Sequence, residues 1–160
     1  MRRLFVALAS FVVGAAAGAA QSTATLGVSA TVTSGCGVVA TPVAFGTYLG
    51  TAASPTVDAL GAVVVTCPAG GTYDVRLNNG ANAIGGLRRM RTLFGPASFL
   101  NYELYKDPAR TQRFGNSNAE RVNGVGSGLP QTIPVYARLP GAQVAPLGTY
   151  LDTIQVTLQF

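Results

Sequence analysis

The chain has 160 residues, 48% hydrophobic and 11% charged, with 11 Lys+Arg against 6 Asp+Glu, no histidine, two cysteines and a formal net charge of +5. That inventory holds no ligand set for a tetrahedral zinc site and few groups that titrate near neutral pH. Setting aside Arg2 and Arg3, which belong to the leader described next, leaves nine basic against six acidic side chains, too weak and dispersed a field for a nucleic-acid-binding face.

Arg2 and Arg3 precede the apolar run LFVALASFVVGAAAGAA, which ends in small residues. Residues 1–20 therefore read as a secretory signal peptide cleaved after Ala19 or Ala20. Ser10, Gly14 and Gly18 interrupt the run and no basic stop-transfer flank follows, which argues against a membrane anchor. The remaining roughly 140 residues suit one domain.

The next stretch, STATLGVSATVTSGC, sets Ala24, Leu26, Val28, Ala30 and Val32 against a threonine-rich opposite side. Fully extended at about 3.3 Å per residue, Ala24 to Cys36 would cover about 40 Å, against roughly 17 to 20 Å for an ordinary strand. The short Thr33-Ser34-Gly35 segment could scarcely fold it back, so residues 21–34 are expected to project from a domain spanning 35–160. An apolar-faced arm left bare invites association. Cys36 and Cys67 belong to an exported chain, where thiols pair and persist. Their disulfide would close a loop of about 30 residues, worth roughly 3 to 4 kcal/mol on the chain-entropy model.

Beyond Cys36 the periodicity is two almost throughout, and 20 glycines and 9 prolines punctuate the whole chain, a pattern that predicts an all-β fold. GAVVVTC, Gly61 to Cys67, suits a central strand. In TYDVRLNNG the residues Tyr73, Val75 and Leu77 alternate with Asp74 and Arg76 before Asn78-Asn79-Gly80 turns the chain. Ala81 to Ser98 is irregular, either a long loop or a weak edge strand, and its RRMR cluster, Arg88 to Arg91, reads as a solvated loop. Leu100, Tyr102 and Leu104 then alternate with Asn101, Glu103 and Tyr105 before Lys106-Asp107-Pro108 bends the chain into a hairpin. NGVGSGLP is a flexible connector. Ile133, Val135, Ala137 and Leu139 share a face, with Pro134 implying an edge or a bulge. In the last segment Ile154, Val156, Leu158 and Phe160 alternate with Thr153, Gln155, Thr157 and Gln159. Seven or so short strands with a disulfide indicate an immunoglobulin-like β-sandwich.

Catalysis finds little to work with. The six acids are Asp58, Asp74, Glu103, Asp107, Glu120 and Asp152. Asp58, Asp107 and Glu120 fall in turn-like segments, Asp74 and Glu103 at outward strand positions, and Asp152 at a strand start. None forms the fixed carboxylate pair of a glycosidase, and no predicted helix lets a glycine-rich loop cradle phosphate. The reading is a non-enzyme with no catalytic residue, metal or cofactor.

TSGC after an alternating arm, FGTY at Phe45 to Tyr48, GAVVVTC, YDVRLNNG, LNYELYKDPAR at Leu100 to Arg110 and the final GTYLDTIQVTLQF occur in order from about Ser34 to Phe160. In these features the chain resembles the spore coat protein U domain, found in that coat protein and in subunits of archaic chaperone–usher pili. The arginine-rich stretch at Arg88 to Arg91 departs from the pattern. The resemblance implies an incomplete, pilin-like immunoglobulin sandwich completed by donor-strand exchange, in which a neighbour's N-terminal arm fills a groove beside the C-terminal strand. Carried onto this chain, the donor side chains would be Leu26, Val28, Ala30 and Val32, and Ile154, Val156, Leu158 and Phe160 would line part of the groove. Implied partners are other copies or related subunits, a periplasmic chaperone and an outer-membrane usher, with passage through the periplasm to a surface fibre or coat. The alternative is a secreted monomeric binding domain, for a glycan for example, using the loops near Arg88 or Asn116.

Overall fold

The computed structural model describes residues 35–160, together with Ser29. Residues 1–20 and the donor positions Leu26, Val28, Ala30 and Val32 lie outside the described residues. Nine strands, all antiparallel to their partners, make up the described secondary structure: β1 Gly37–Thr41, β2 Val57–Thr66, β3 Thr72–Leu77, β4 Arg88–Thr92, β5 Phe99–Tyr105, β6 Val122–Val125, β7 Gln131–Leu139, β8 Tyr150–Leu151 and β9 Val156–Gln159. They form a six-stranded sheet in the order β1-β2-β7-β5-β4-β8 and a three-stranded sheet in the order β6-β3-β9. Among the described residues the secondary structure is all-β.

The period-two pattern places the core. Val63 and Val65 of β2, Val75 and Leu77 of β3, Leu100, Tyr102 and Leu104 of β5, and Val135, Ala137 and Leu139 of β7 are buried, while their strand neighbours face outward or lie half-buried. Such alternation lets each strand give one face to the interior and the other to solvent. The β-branched run of β2 lies between β1 and β7, where branched side chains pack well on a pleated surface. Pro134 sits in β7, a strand with neighbours on both sides. The β5 ladder stops at Tyr136, so the sheet is locally an edge beside Pro134 and the missing N–H is tolerated.

Cys36, just before β1, is bonded to Cys67, just after β2, with an S–S distance of 2.04 Å and a sequence separation of 31. Replacing both cysteines by serine should lower unfolding stability by about 3 to 4 kcal/mol through the freed denatured chain. The urea midpoint of the purified protein measures this, and a midpoint unchanged from the oxidised parent would contradict it.

Three segments differ from the sequence reading. In NGVGSGLP, Asn123 to Val125 belong to β6 and pair with β3, so only the residues from Gly126 onward form the connector. Ala81 to Ser98 is neither a plain loop nor a sheet edge: its centre is β4, hydrogen-bonded between β5 and β8. The C-terminal segment is not one strand. Tyr150 and Leu151 pair with β4 in the larger sheet, and Val156–Gln159 pairs with β3 in the smaller one. The crossing at residues 152–155 is fixed by loop 78–82: Asn78 N donates to Gln155 O, Ala81 N to Thr153 O, and Gln155 N to Asn78 Oδ1 at 2.9 Å. Asp152 thus follows a strand instead of starting one, and Asp58 lies within β2 instead of in a turn.

After β5, Asp107 accepts hydrogen bonds from Thr111 N, Thr111 Oγ1 and Gln112 N. Arg110 takes the left-handed conformation at φ 58, which turns the chain tightly. This returns Phe114 to the core, where Phe114 N donates to Leu104 O at 2.8 Å.

Candidate functional site

A sandwich whose two sheets are both complete covers its own core. Here β1 ends the six-stranded sheet and β9 ends the three-stranded one, and they approach each other without a ladder between them. Every residue of β1 is exposed. Ile154, Val156 and Leu158 pack on the core yet remain only half-buried, as expected of inward residues with cover on one side.

Between these edges lies a cavity of about 320 Å³. Val63, Leu77, Leu104 and Val135 from the core reach it, Val43 and Phe45 close it beside β1, and Met90, Tyr150, Ile154 and Val156 line the other side. Of the four groove positions expected from the resemblance, Ile154 and Val156 line this cavity. Leu158 lies further along β9 opposite Val75. Phe160 is 70% exposed and borders a separate depression with Tyr73 and Val125. The sequence reading missed Val43, Phe45, Met90 and Tyr150. Phe45 and Tyr150 sit in the motifs FGTY and GTYLD, whereas Met90 lies in the stretch that had no pattern.

Polar groups fix the wall. Tyr102 donates its hydroxyl proton to Asp152 Oδ2 at 2.7 Å, and Asp152 Oδ1 accepts from Asn82 N at 3.1 Å and Asn82 Nδ2 at 3.0 Å. Burial, reinforced by that bond to a carboxylate, raises the Tyr102 pKa far above its ordinary value. The turn at Gly80 has φ 91, and a Cβ there would collide with the Asp152 carboxylate, so glycine alone gives both the turn and the room.

Arg88 is fully buried, which corrects its reading as part of a solvated loop. Its guanidinium donates to Asn78 O at 3.1 and 2.6 Å, to Leu77 O at 3.4 Å and to Glu103. Glu103 also binds Arg113 at 2.8 Å, and Arg113 reaches Glu120 at 3.1 Å and Asn79 at 2.7 Å. Burial lowers the Arg88 pKa while Glu103 opposes the shift. The chain Arg88, Glu103, Arg113, Glu120 therefore ties β4 and β5 to the end of β3 and its following loop. Arg89 lies over the Phe99 ring at 4.1 Å and donates to Asn82 O. Of the three arginines in the cluster only Arg91 is exposed, so the cluster forms no basic face.

Each of the six carboxylates has a structural partner. Asp58 pairs with Arg138 at 2.8 Å across the β2–β7 ladder, and Asp74 with Arg76 at 2.7 Å and Arg121 at 3.1 Å. Among the described residues no group of three or more His, Cys, Asp or Glu could hold a metal ion. The Arg138 hydrogen bond holds Asp58 below its ordinary value, and the Arg76 hydrogen bond does so for Asp74. For Glu120 burial pushes upward, but bonds from Arg113 and Ser117 outweigh it. Depressed folded pKa values give stability that is complete above the unfolded values and lost as pH falls through the folded ones. The melting temperature should therefore hold from pH 7 to 5 and decline below about pH 4, the ordinary carboxylate range. Tyr102 acts with the opposite sign, removing stability above about pH 10. A melting temperature that rises on acidification to pH 3 would contradict the carboxylate account.

Comparison with known proteins agrees with this architecture. The Spore Coat Protein U domain model matches residues 22–157. Protein U of Myxococcus xanthus is 33% identical over 168 residues, covering 96% of this chain and 93% of that protein. Among solved structures, the CsuC–CsuE chaperone–tip adhesion subunit pre-assembly complex from archaic chaperone–usher Csu pili of Acinetobacter baumannii matches with a TM-score of 0.58 and 25% identity. That match covers 79% of this chain and 40% of the other, so the chain spans less than half the length of that relative. With the family model spanning residues 22–157, both cysteines included, the chain belongs to the Spore Coat Protein U domain family.

Proposed function

We propose that this protein is a structural subunit of a secreted surface fibre, assembled by insertion of the N-terminal arm of one copy into the groove of the next. The observation that carries the reading is the pair of facing sheet edges, β1 and β9, with an apolar cavity between them lined by half-buried Ile154 and Val156. An added strand would take up the free backbone groups of such edges and drop alternate side chains into the cavity. Residues 21–34 offer that pattern in Leu26, Val28, Ala30 and Val32, with Leu158 and Phe160 extending the acceptor edge beyond the cavity.

In this reading residues 1–20 direct export and are removed. A periplasmic chaperone covers the groove in transit, an outer-membrane usher exchanges it for an arm, and the fibre serves adhesion or biofilm formation at the cell surface. The pilus-assembly setting of the Acinetobacter relative supports this sequence of partners. A contact that repeats head to tail without closing gives a filament, and a groove that collapses when empty makes each joint slow to open.

The test is the behaviour of surface-extracted protein on a denaturing gel. Unheated samples should run as a ladder of multimers that boiling converts to monomer. A single monomer band before and after heating would overturn the fibre reading and favour the monomeric binding domain.

A further inference from the structure

The domain has two dissimilar ends. At one, the β1–β2 connection, the β4–β5 turn and the β7–β8 connection are fastened together: Ala145 N donates to Gly50 O at 3.1 Å, Gln143 N to Tyr48 Oη at 2.9 Å, and Leu93 N to Thr149 O at 2.8 Å. These loops carry Leu49, Leu93, Phe94, Val144 and Leu147 on their outer side, all exposed, Phe94 by 83% and Leu147 by 98%. Apolar side chains gathered at one end of a domain and held there by backbone bonds mark an interaction surface. The groove runs into it: a trough of about 540 Å³ between residues 43–50 and 145–151 shares Phe45, Met90 and Tyr150 with the groove cavity.

At the other end the chain enters the domain at Gly35 and Cys36, beside the end of β2, the start of β3 and the end of β6. This end exposes a smaller apolar set, Val125, Leu129 and Phe160. Gly70 N donates to Gly126 O and Gly128 N to Cys67 O, fastening its loops in turn.

Resting on the fibre reading, we infer that the apolar crown of each copy seats against the chain-entry end of the copy whose arm fills its groove, making a second interface beside the inserted strand. Two arguments select that occupant. First, only Thr33, Ser34 and Gly35 separate the last donor side chain, Val32, from Cys36. That span reaches at most about 14 Å at 3.3 to 3.6 Å per residue, so the entry end of the donor must lie against the acceptor.

Second, strand direction decides which end it meets. β9 runs from the crown end toward Phe160, and β1 runs the opposite way. An arm antiparallel to β9 delivers its Val32 end to the crown. An arm running the other way would bring two entry ends together, where each copy can return its arm to the other and close a pair instead of extending a chain. The first direction stacks copies head to tail, the arrangement that extends without closing, and it sets apolar crown against apolar entry end.

The test uses full-length protein assembled by its host, with Leu147→p-benzoylphenylalanine as a photo-crosslinking probe. Irradiation should yield covalent dimers whose linkage maps by peptide mass spectrometry to residues 125–131 or to Phe160 of a second copy. The same probe at Leu60, exposed on the outer face of β2, should give background only. If heat-sensitive multimers form but the Leu147 probe links to another region, to another protein or to nothing, the crown interface is wrong and the fibre reading stands. Linkage of one copy's entry end to another's, from Leu129→p-benzoylphenylalanine, would show the closed pair and refute both the arm direction and the crown contact. Absence of any multimer would refute the fibre reading and this interface with it.

Discussion

Replacing Leu26 and Val28 together by aspartate should abolish the multimer ladder while the protein is still exported and recovered as monomer or in a chaperone complex. Each substitution forfeits roughly 1.5 to 3 kcal/mol of apolar burial. Each also asks the groove to take up a carboxylate, which resists transfer to apolar surroundings unless paired. The cavity wall offers no cation for it, because its one charged lining residue, Asp152, is itself an acid already engaged by Tyr102 and Asn82. The domain from residue 35 onward keeps its core and disulfide, so the expected defect is in donation alone. Leu26→Val with Val28→Ile keeps the apolar pattern and should retain the ladder. A ladder of normal intensity from the double aspartate variant would exclude the arm as the inserted strand.

The second large effect is expected at Arg88. Arg88→Ala removes a buried guanidinium and leaves the carbonyls of Asn78 and Leu77 unpartnered, with Glu103 held by Arg113 alone. Breaking a buried pair by deleting one member costs about 3 to 5 kcal/mol, a large share of the roughly 5 to 15 kcal/mol that stabilises a domain. Arg88→Lys should recover little, since one ammonium cannot reproduce a planar fork aimed at two carbonyls and a carboxylate. The contrasting control is Arg138→Ala. Its partner Asp58 is more than a third exposed, and such surface pairs contribute about 0 to 1 kcal/mol. Urea midpoints of the three variants measured side by side should rank in that order. If Arg88→Ala unfolds no earlier than Arg138→Ala, the buried network is not what joins β4 to the smaller sheet.

Local pattern carried much of the architecture. Alternation over Tyr73 to Leu77, Leu100 to Tyr105 and Ile133 to Leu139 separated inward from outward side chains, with Ile133 only half-buried, and the β-branched run Gly61 to Cys67 marked an interior strand, because a strand's facing depends only on its own parity. The fate of Arg88 was not legible in this way. A residue beside two other cations looks solvated until the partners that neutralise it, fifteen residues onward at Glu103 and ten back at Asn78, are folded next to it. The break in the last segment was hidden for the same reason. Nothing between Tyr150 and Phe160 signals a turn, and the crossing is held by Asn78, Ala81 and Asn82 from a distant loop. Of the residues lining the cavity, Ile154 and Val156 lie in the alternating last segment that the resemblance pointed to, while Met90 needed β4 to exist.

In the proposed fibre the bond from Cys36 to Cys67 would also bear load. Tension arriving along a neighbouring joint would enter the domain at Cys36, next to β1, the strand with one ladder and no burial. Alone, β1 would peel from its edge one hydrogen bond after another. The covalent crosslink instead passes the load to the end of β2, which has ladders on both flanks and must shear many bonds at once. A reduced subunit would yield at β1 under a pull that its oxidised counterpart withstands.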